Sequence, residues 1–205
     1  MVMNLPNNGN PQNIIMPVSI YIKNMVCDRC KTAVRGVFEH EGVEPLSVGL
    51  GVVELSDALS ADKLSSIRHG LEVIGFELLN DNRKQTVERI KALIIELVRY
   101  TGDRAAHNSN VSTFLSDRLH SDYSALSKLF SAETGTTIEK YVIAQKVELV
   151  KELLSYGELS LTEIAQRLNY SSVAYLSSQF KSVTGQTPSS YKGTNAGARK
   201  ELDKL

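Results

Sequence analysis

The chain has 205 residues and only two cysteines, which fall together in Met25-Val-Cys27-Asp-Arg-Cys30. Two thiolates three positions apart can converge on one soft ion, and cysteine sulfur selects Cu(I), Zn(II) and similar metals. Two sulfurs fall short of the closed four-ligand site of structural zinc. Low coordination, or an extra ligand from a partner, is implied, which favours a soft ion such as Cu(I) without excluding Zn or another heavy metal. A CxxC at a helix start can also be a thiol–disulfide switch, although the Gly-Pro typical between such redox cysteines is absent. A purely structural role is the third reading.

A second set of chemistry-bearing residues is written twice in the C-terminal half. Leu115-Ser-Asp-Arg-Leu119, Leu126, Phe130, Thr134-Gly135 and Tyr141 reappear as Ile164-Ala-Gln-Arg-Leu168, Leu176, Phe180, Thr184-Gly185 and Tyr191. The offset is 49 residues before the turn and 50 after it. Such a period marks one supersecondary unit used twice. With Leu126, Leu129 and Phe130 inward in one copy and Leu176 and Phe180 in the other, the 3.6-residue period fixes the outward faces. These carry Ser124, Ser127, Lys128 and Ser131, then Ala174, Ser177, Ser178 and Lys181. Hydroxyls can meet either base type in a DNA major groove, and lysine can meet guanine or phosphate. With no Arg, Asn or Gln on these faces, phosphate contacts and DNA shape should carry much of the recognition. The alternative is an all-helical interaction domain with a serine-rich surface.

The elements that must position these residues can be read in order. Residues 1–16, rich in Asn and Pro, read as a loose tail. Val18, Ile20 and Ile22 alternate with Ser19, Tyr21 and Lys23 as a half-buried strand. Ala33, Val34, Val37 and Phe38 recur at helical spacing until Gly42. Residues 43–48 and 51–55 read as strands around a glycine turn. Ser60 caps a helix bearing Leu64, Ile67, Leu71 and Ile74, and residues 76–79 form a last strand. Strand, helix, strand, strand, helix, strand is the split arrangement of ferredoxin-like domains.

Residues 81–100 form a connecting helix. Its Val87, Ile90, Ile94 and Leu97 suit a short coiled-coil seam, hence a homodimer through 87–98, or a helix laid on one of the chain's own domains. Polar residues through Asn110 read as a linker, and those from 193 to 205 as a polar tail. A long helix is expected from about Thr137 to Tyr156, a capping box at Ser160-Leu-Thr-Glu163, and a helix start at Thr187-Pro188. The fold class is therefore α+β: a ferredoxin-like βαββαβ domain over 17–80, then an all-α domain with two helix-turn-helix subdomains over 110–192.

The run from Glu163-Ile-Ala-Gln-Arg-Leu-Asn-Tyr to Thr187-Pro-Ser-Ser-Tyr191 closely resembles the C-terminal signature of AraC-type transcription regulators. The resemblance, with the first copy, covers about 110–192 and implies two helix-turn-helix subdomains joined by a long helix. Residues 123–134 and 173–184 would be the reading helices. Asn169 stands where the family usually has Gly, and Asn accepts positive φ better than most residues. Lys146 and Val150 stand where Arg and Ala are frequent. Residues 17–80 resemble the heavy-metal-associated domain of copper chaperones and metal-pumping ATPases, through Met25-x-Cys27-x-x-Cys30, Gly42-Val43 and Gly75-Phe76. That resemblance implies metal on Cys27 and Cys30, with Met25 packing beneath the loop. Asn24 replaces the usual glycine, and Asp28 and Arg29 make the loop more charged than usual.

Composition bounds the rest. The chain has 23 basic and 23 acidic residues, so its field is not that of a purely electrostatic DNA binder. No signal peptide or membrane-spanning run is read, and a soluble, cytoplasmic bacterial protein is expected. His40, His69, His107 and His120 have no ligand-like spacing and read as surface or linker residues. No clustered carboxylates, nucleophile–base pair or phosphate-cradling glycine loop suggests an enzyme. The expectation is a regulator of transcription that binds double-stranded DNA and responds to a soft metal. The alternative is a metal carrier, or a thiol-redox protein, whose N-terminal domain does not control DNA binding.

Overall fold

The computed structural model describes residues 17–100 and 110–194. The expected N-terminal tail, most of the linker and the polar tail beyond residue 194 lie outside the described residues.

The first part runs β1 (Val18–Lys23), α1 (Asp28–His40), β2 (Ser47–Gly49), β3 (Val52–Leu55), α2 (Ala61–Val73) and β4 (Glu77–Leu79). The strands form one antiparallel sheet in the order β2-β3-β1-β4, with Ile20 opposite Val53 and Ile22 opposite Leu78. The alternation of β1 sends Ile20 and Ile22 into a core with Val34 and Phe38 of α1 and Ile67 and Leu71 of α2. Gly70 lets α1 and α2 approach closely, since a Cβ there would lie 2.8 Å from Val37 Cγ1.

Strand β2 begins four residues later than the pattern of residues 43–48 suggests. The Val43 N–H is spent on the Phe38 carbonyl at the end of α1, and Pro45 has no N–H to give. Strand β3 likewise starts at Val52, because Gly51 takes φ +75° in the turn.

Helix α3 (Asn82–Arg99) follows, capped by Asp81, whose carboxylate accepts from the N–H groups of Arg83 and Lys84. It lies against β1 and β4. Beyond it come α4 (Val111–Leu119), α5 (Tyr123–Thr134), α6 (Ile138–Tyr156), α7 (Leu161–Arg167), α8 (Val173–Thr184) and α9 (Pro188–Thr194). The expected caps are present: Ser160 and Glu163 form the reciprocal capping box, and Thr187 accepts from Ser190. Thr137 is a further cap, accepting from Lys140.

The homodimer seam is corrected by the packing. Val87, Ile90, Ile94 and Leu97 are buried in one core with Leu115, Leu126, Phe130, Val150, Leu154, Ile164 and Phe180 of the same chain. A stripe repeating by three and four residues specifies an apolar face but not its partner. Here the partner is the chain's own helical half, so this stripe is not available to a second copy. Among the described residues no helix is long and apolar enough to cross a membrane.

Candidate nucleic-acid interface and cysteine loop

Each repeat builds the same bend from different side chains. In the first, α4 ends at His120, whose φ of +49° turns the chain, and Asp122 then caps α5 by accepting from Ser124 and Ala125. In the second, Asn169 takes φ +54° and Ser172 caps α8 by accepting from Tyr175. The reading helices of the resemblance, 123–134 and 173–184, coincide with α5 and α8.

Packing below the two helices is duplicated too. Phe130 meets Tyr141 edge to face at 5.6 Å, and Phe180 meets Tyr191 in the same way at 5.5 Å. Thr134 donates to the Phe130 carbonyl at 2.7 Å, and Thr184 to that of Phe180 at 2.8 Å. The aromatic pairs tie each helix to its neighbour and so fix its rotation about its axis, which decides the residues left outward.

Ser124, Lys128, Ala174, Ser178 and Lys181 are exposed, while Ser127, Ser131 and Ser177 are half-buried at the edges of the same faces. The arrangement therefore presents a lysine-bearing polar face on each helix, able to meet an anionic, hydrogen-bonding surface.

Tyr175 is an addition that the outward-face assignment missed. It is 54% exposed on the first turn of α8 and packs edge to face on Tyr170 at 5.9 Å. Its counterpart in the first repeat is Ala125, so an inequality between aligned copies was the available signal. Tyr170 also donates to Gln179 Oε1 at 2.6 Å, and burial pushes its phenol up to about 12. Lys146 of α6 places its Nζ 3.1 Å from the Leu168 carbonyl and 5.1 Å from the centre of the Tyr170 ring. It braces the second turn from beneath, and burial lowers its pKa.

A family described as "Helix-turn-helix domain" matches residues 115–194. Residues 115–194 are thus a helix-turn-helix domain. The xylose operon regulatory protein of Escherichia coli K12 is 28% identical over 174 residues, covering 73% of this chain and 44% of that protein. The uncharacterized transcriptional regulatory protein YesN of Bacillus subtilis is 30% identical over 110 residues, covering 52% and 30% respectively. The C-terminal domain of AraT, a response regulator from Geobacillus stearothermophilus, is similar with a TM-score of 0.48 and 23% identity, covering 56% of this chain and 89% of that domain. The chain thus spans less than half the length of these curated relatives. Both are regulatory proteins rather than enzymes, in line with the sequence expectation.

The other candidate site lies far along the chain from this helix-turn-helix domain. Cys27 is the N-cap of α1, with extended backbone, and its carbonyl accepts from the N–H groups of Cys30 and Lys31. The two sulfurs are 3.4 Å apart, both free and half-buried. Met25 is 4% exposed in the core below, as expected of a packing residue. Asn24 holds φ +73° and donates to the Gly75 carbonyl at 3.2 Å, so asparagine fills the glycine's conformational role here.

A helix N-terminus by itself favours the thiolate form. At Cys30 burial outweighs it and pushes the thiol up. Among the described residues, no group of three or more His, Cys, Asp or Glu side chains is placed to hold an ion. The sulfur separation nevertheless lies within the roughly 4.6 Å that two metal–sulfur bonds of about 2.3 Å can span. As a donor set, Cys27 and Cys30 fit a soft ion of low coordination number.

Proposed function

We propose that this chain is a cytoplasmic, DNA-binding transcription regulator in which α5 and α8 read successive stretches of a major groove. The observation that carries the reading is the duplicated unit, with matching turns, matching aromatic pairs and an outward lysine on each reading helix. Lys128 and Lys181 supply charge toward phosphate or guanine, and Ser124, Ser127, Ser131, Ser177 and Ser178 supply adaptable hydroxyls. Ala174 offers an apolar contact of the kind a thymine methyl accepts. The test is selection from a random pool of double-stranded DNA, followed by titration of the enriched sequence. Recovery of one motif bound in preference to scrambled DNA supports the reading, and a pool without enrichment overturns it.

The N-terminal part is a ferredoxin-like, heavy-metal-associated domain in this proposal. Its element order and the sheet order β2-β3-β1-β4 support that assignment. Cys27 and Cys30 would hold a soft ion such as Cu(I), which supplies a charge and a cross-link within the first turn of α1. Met25 supports the loop from the core, and Asn24 holds the loop's entry through Gly75. The 3.4 Å sulfur contact also favours a second reading, a dithiol–disulfide pair. Cu(I) titration against a chromogenic chelator separates the two. One equivalent lost in Cys27→Ser/Cys30→Ser supports metal, whereas no competition with the chelator leaves the redox reading.

A further inference from the structure

The last two residues of α3's run reach in opposite directions. Tyr100, its C-cap, leans on the cysteine loop. Lys31 Nζ sits 5.7 Å from the centre of the Tyr100 ring, and the same Nζ is 2.8 Å from Asp28 Oδ1. Asp28 follows Cys27 and Lys31 follows Cys30, so Tyr100 grips the turn that carries both sulfurs. Arg99 points the other way. Its guanidinium donates to Glu152 Oε2 on α6 at 3.0 Å, and the Tyr156 hydroxyl donates to Oε1 of the same carboxylate at 3.2 Å.

The two grips differ in stiffness. Arg99 and Glu152 are 12% and 18% exposed, a pair held away from solvent screening. Tyr100 is 45% exposed and meets Lys31 only across its ring face, so this contact is the one that can be exchanged. A two- or three-coordinate ion, with its wide sulfur–metal–sulfur angle, would hold the sulfurs further apart than their present 3.4 Å. Asp28 and Lys31 share their helical turn and move with them. Helix α6, which receives the Arg99 contact, is the element that joins the two reading units.

We propose that the Arg99–Tyr100 pair is the joint through which occupancy of the Cys27–Cys30 loop changes the spacing of α5 and α8, an inference that rests on the metal-responsive reading above. The ion must favour one arrangement of this joint over another, because a ligand shifts an equilibrium only by its differential affinity. Lys31 is the specific contact. Arg29, the loop's other cation, makes no ion pair among the described residues.

The test uses the full chain, Cu(I) buffered by a chelator, and the DNA sequence selected above. The native chain should change its DNA Kd on Cu(I) binding by about fivefold or more, the lower end of ordinary coupling. Tyr100→Ala should bind Cu(I), and DNA without metal, within about twofold of native, while the Cu(I)-dependent change falls below about twofold. Lys31→Met should do the same, and the double variant should show no additional loss. Amide exchange over residues 149–156 should respond to Cu(I) in the native chain and not in Tyr100→Ala. Retention of the native coupling in both single variants would overturn the joint. Failure of the native chain to bind Cu(I) overturns the metal reading and this inference together. Cu(I) binding without any change in native DNA affinity overturns the coupling alone. The exposure of Tyr100 keeps its truncation from opening a core cavity, and an unchanged thermal midpoint verifies this.

Discussion

His120 and Asn169 hold the same left-handed backbone conformation, at φ +49° and +54°, 49 residues apart at equivalent points of two turns. Neither is glycine, although the conformation costs an ordinary L-residue about 1–2 kcal/mol. Asn169→Gly and His120→Gly should therefore each change stability by no more than about 1 kcal/mol, with the sign toward stabilisation. His120→Val should lose about 1–2 kcal/mol. Urea unfolding midpoints check all three, and a harmless His120→Val would contradict the turn geometry.

Gly70→Ala should destabilise the N-terminal part by about 1–3 kcal/mol, as overpacking does. Its Cβ would meet Val37 Cγ1 at 2.8 Å. Val37→Ala in the same chain should recover part of the loss. Additive losses in the double variant would show that the two helices do not meet at this point.

Lys128→Ala should weaken DNA binding similarly across sequences and reduce the slope of log K against log salt by about one. Lys128→Glu combined with Ser178→Glu should abolish specific binding, because both outward faces then repel phosphate. Titrations at several salt concentrations measure both effects. An unaltered slope in Lys128→Ala would remove that lysine from the interface.

Lys146→Met should act on one half of the DNA site. It removes the brace on the Leu168 carbonyl, next to the turn at Asn169, and leaves the α4–α5 unit untouched. Footprinting should show reduced protection where α8 lies and normal protection where α5 lies. Stability should fall by about 1 kcal/mol, a charge-assisted bond partly offset by relief of the lysine's own desolvation.

Raising the pH above 10 should erode stability, because the phenols of Tyr141 and Tyr170 are held above their ordinary value of 10 by burial. In that range the unfolded chain has released protons that the folded chain still binds, so the stability they contribute below pH 10 is lost as pH rises toward their folded values. Lys146 has the opposite sign, its lowered pKa favouring the folded state as pH climbs toward 10.5. Tyr170→Phe should flatten the alkaline loss between about pH 10 and about pH 12. Melts across that range decide it, and an unchanged profile would contradict the burial of Tyr170.

Local signals carried most of the secondary structure. The caps at Ser60, Ser160 and Thr187 were legible because a hydroxyl three residues before a free N–H has one main use. The outward faces of α5 and α8 followed from Leu126, Phe130, Leu176 and Phe180, since burying one side of a helix leaves no choice about the other. The late start of β2 could have been read from Pro45 alone. The destination of the α3 stripe could not, because periodicity records a face and tertiary packing selects what covers it. His120 hid because its type suggested surface chemistry. Counting 49 residues back from Asn169 would have placed it in a turn. The bracing role of Lys146 depends on Leu168 and Tyr170 arriving beneath the same turn, which no spacing along the chain announces.

The burial of α3 sets what can be exchanged between proteins. Val87, Ile90, Ile94 and Leu97 close the same core as the helices beyond residue 110. A chimera that grafts the two repeats onto a foreign sensor at residue 110 would leave behind one wall of their interior and carry an open apolar groove. The transplantable piece begins at Asp81, with the helix that a boundary drawn by composition would assign to the spacer.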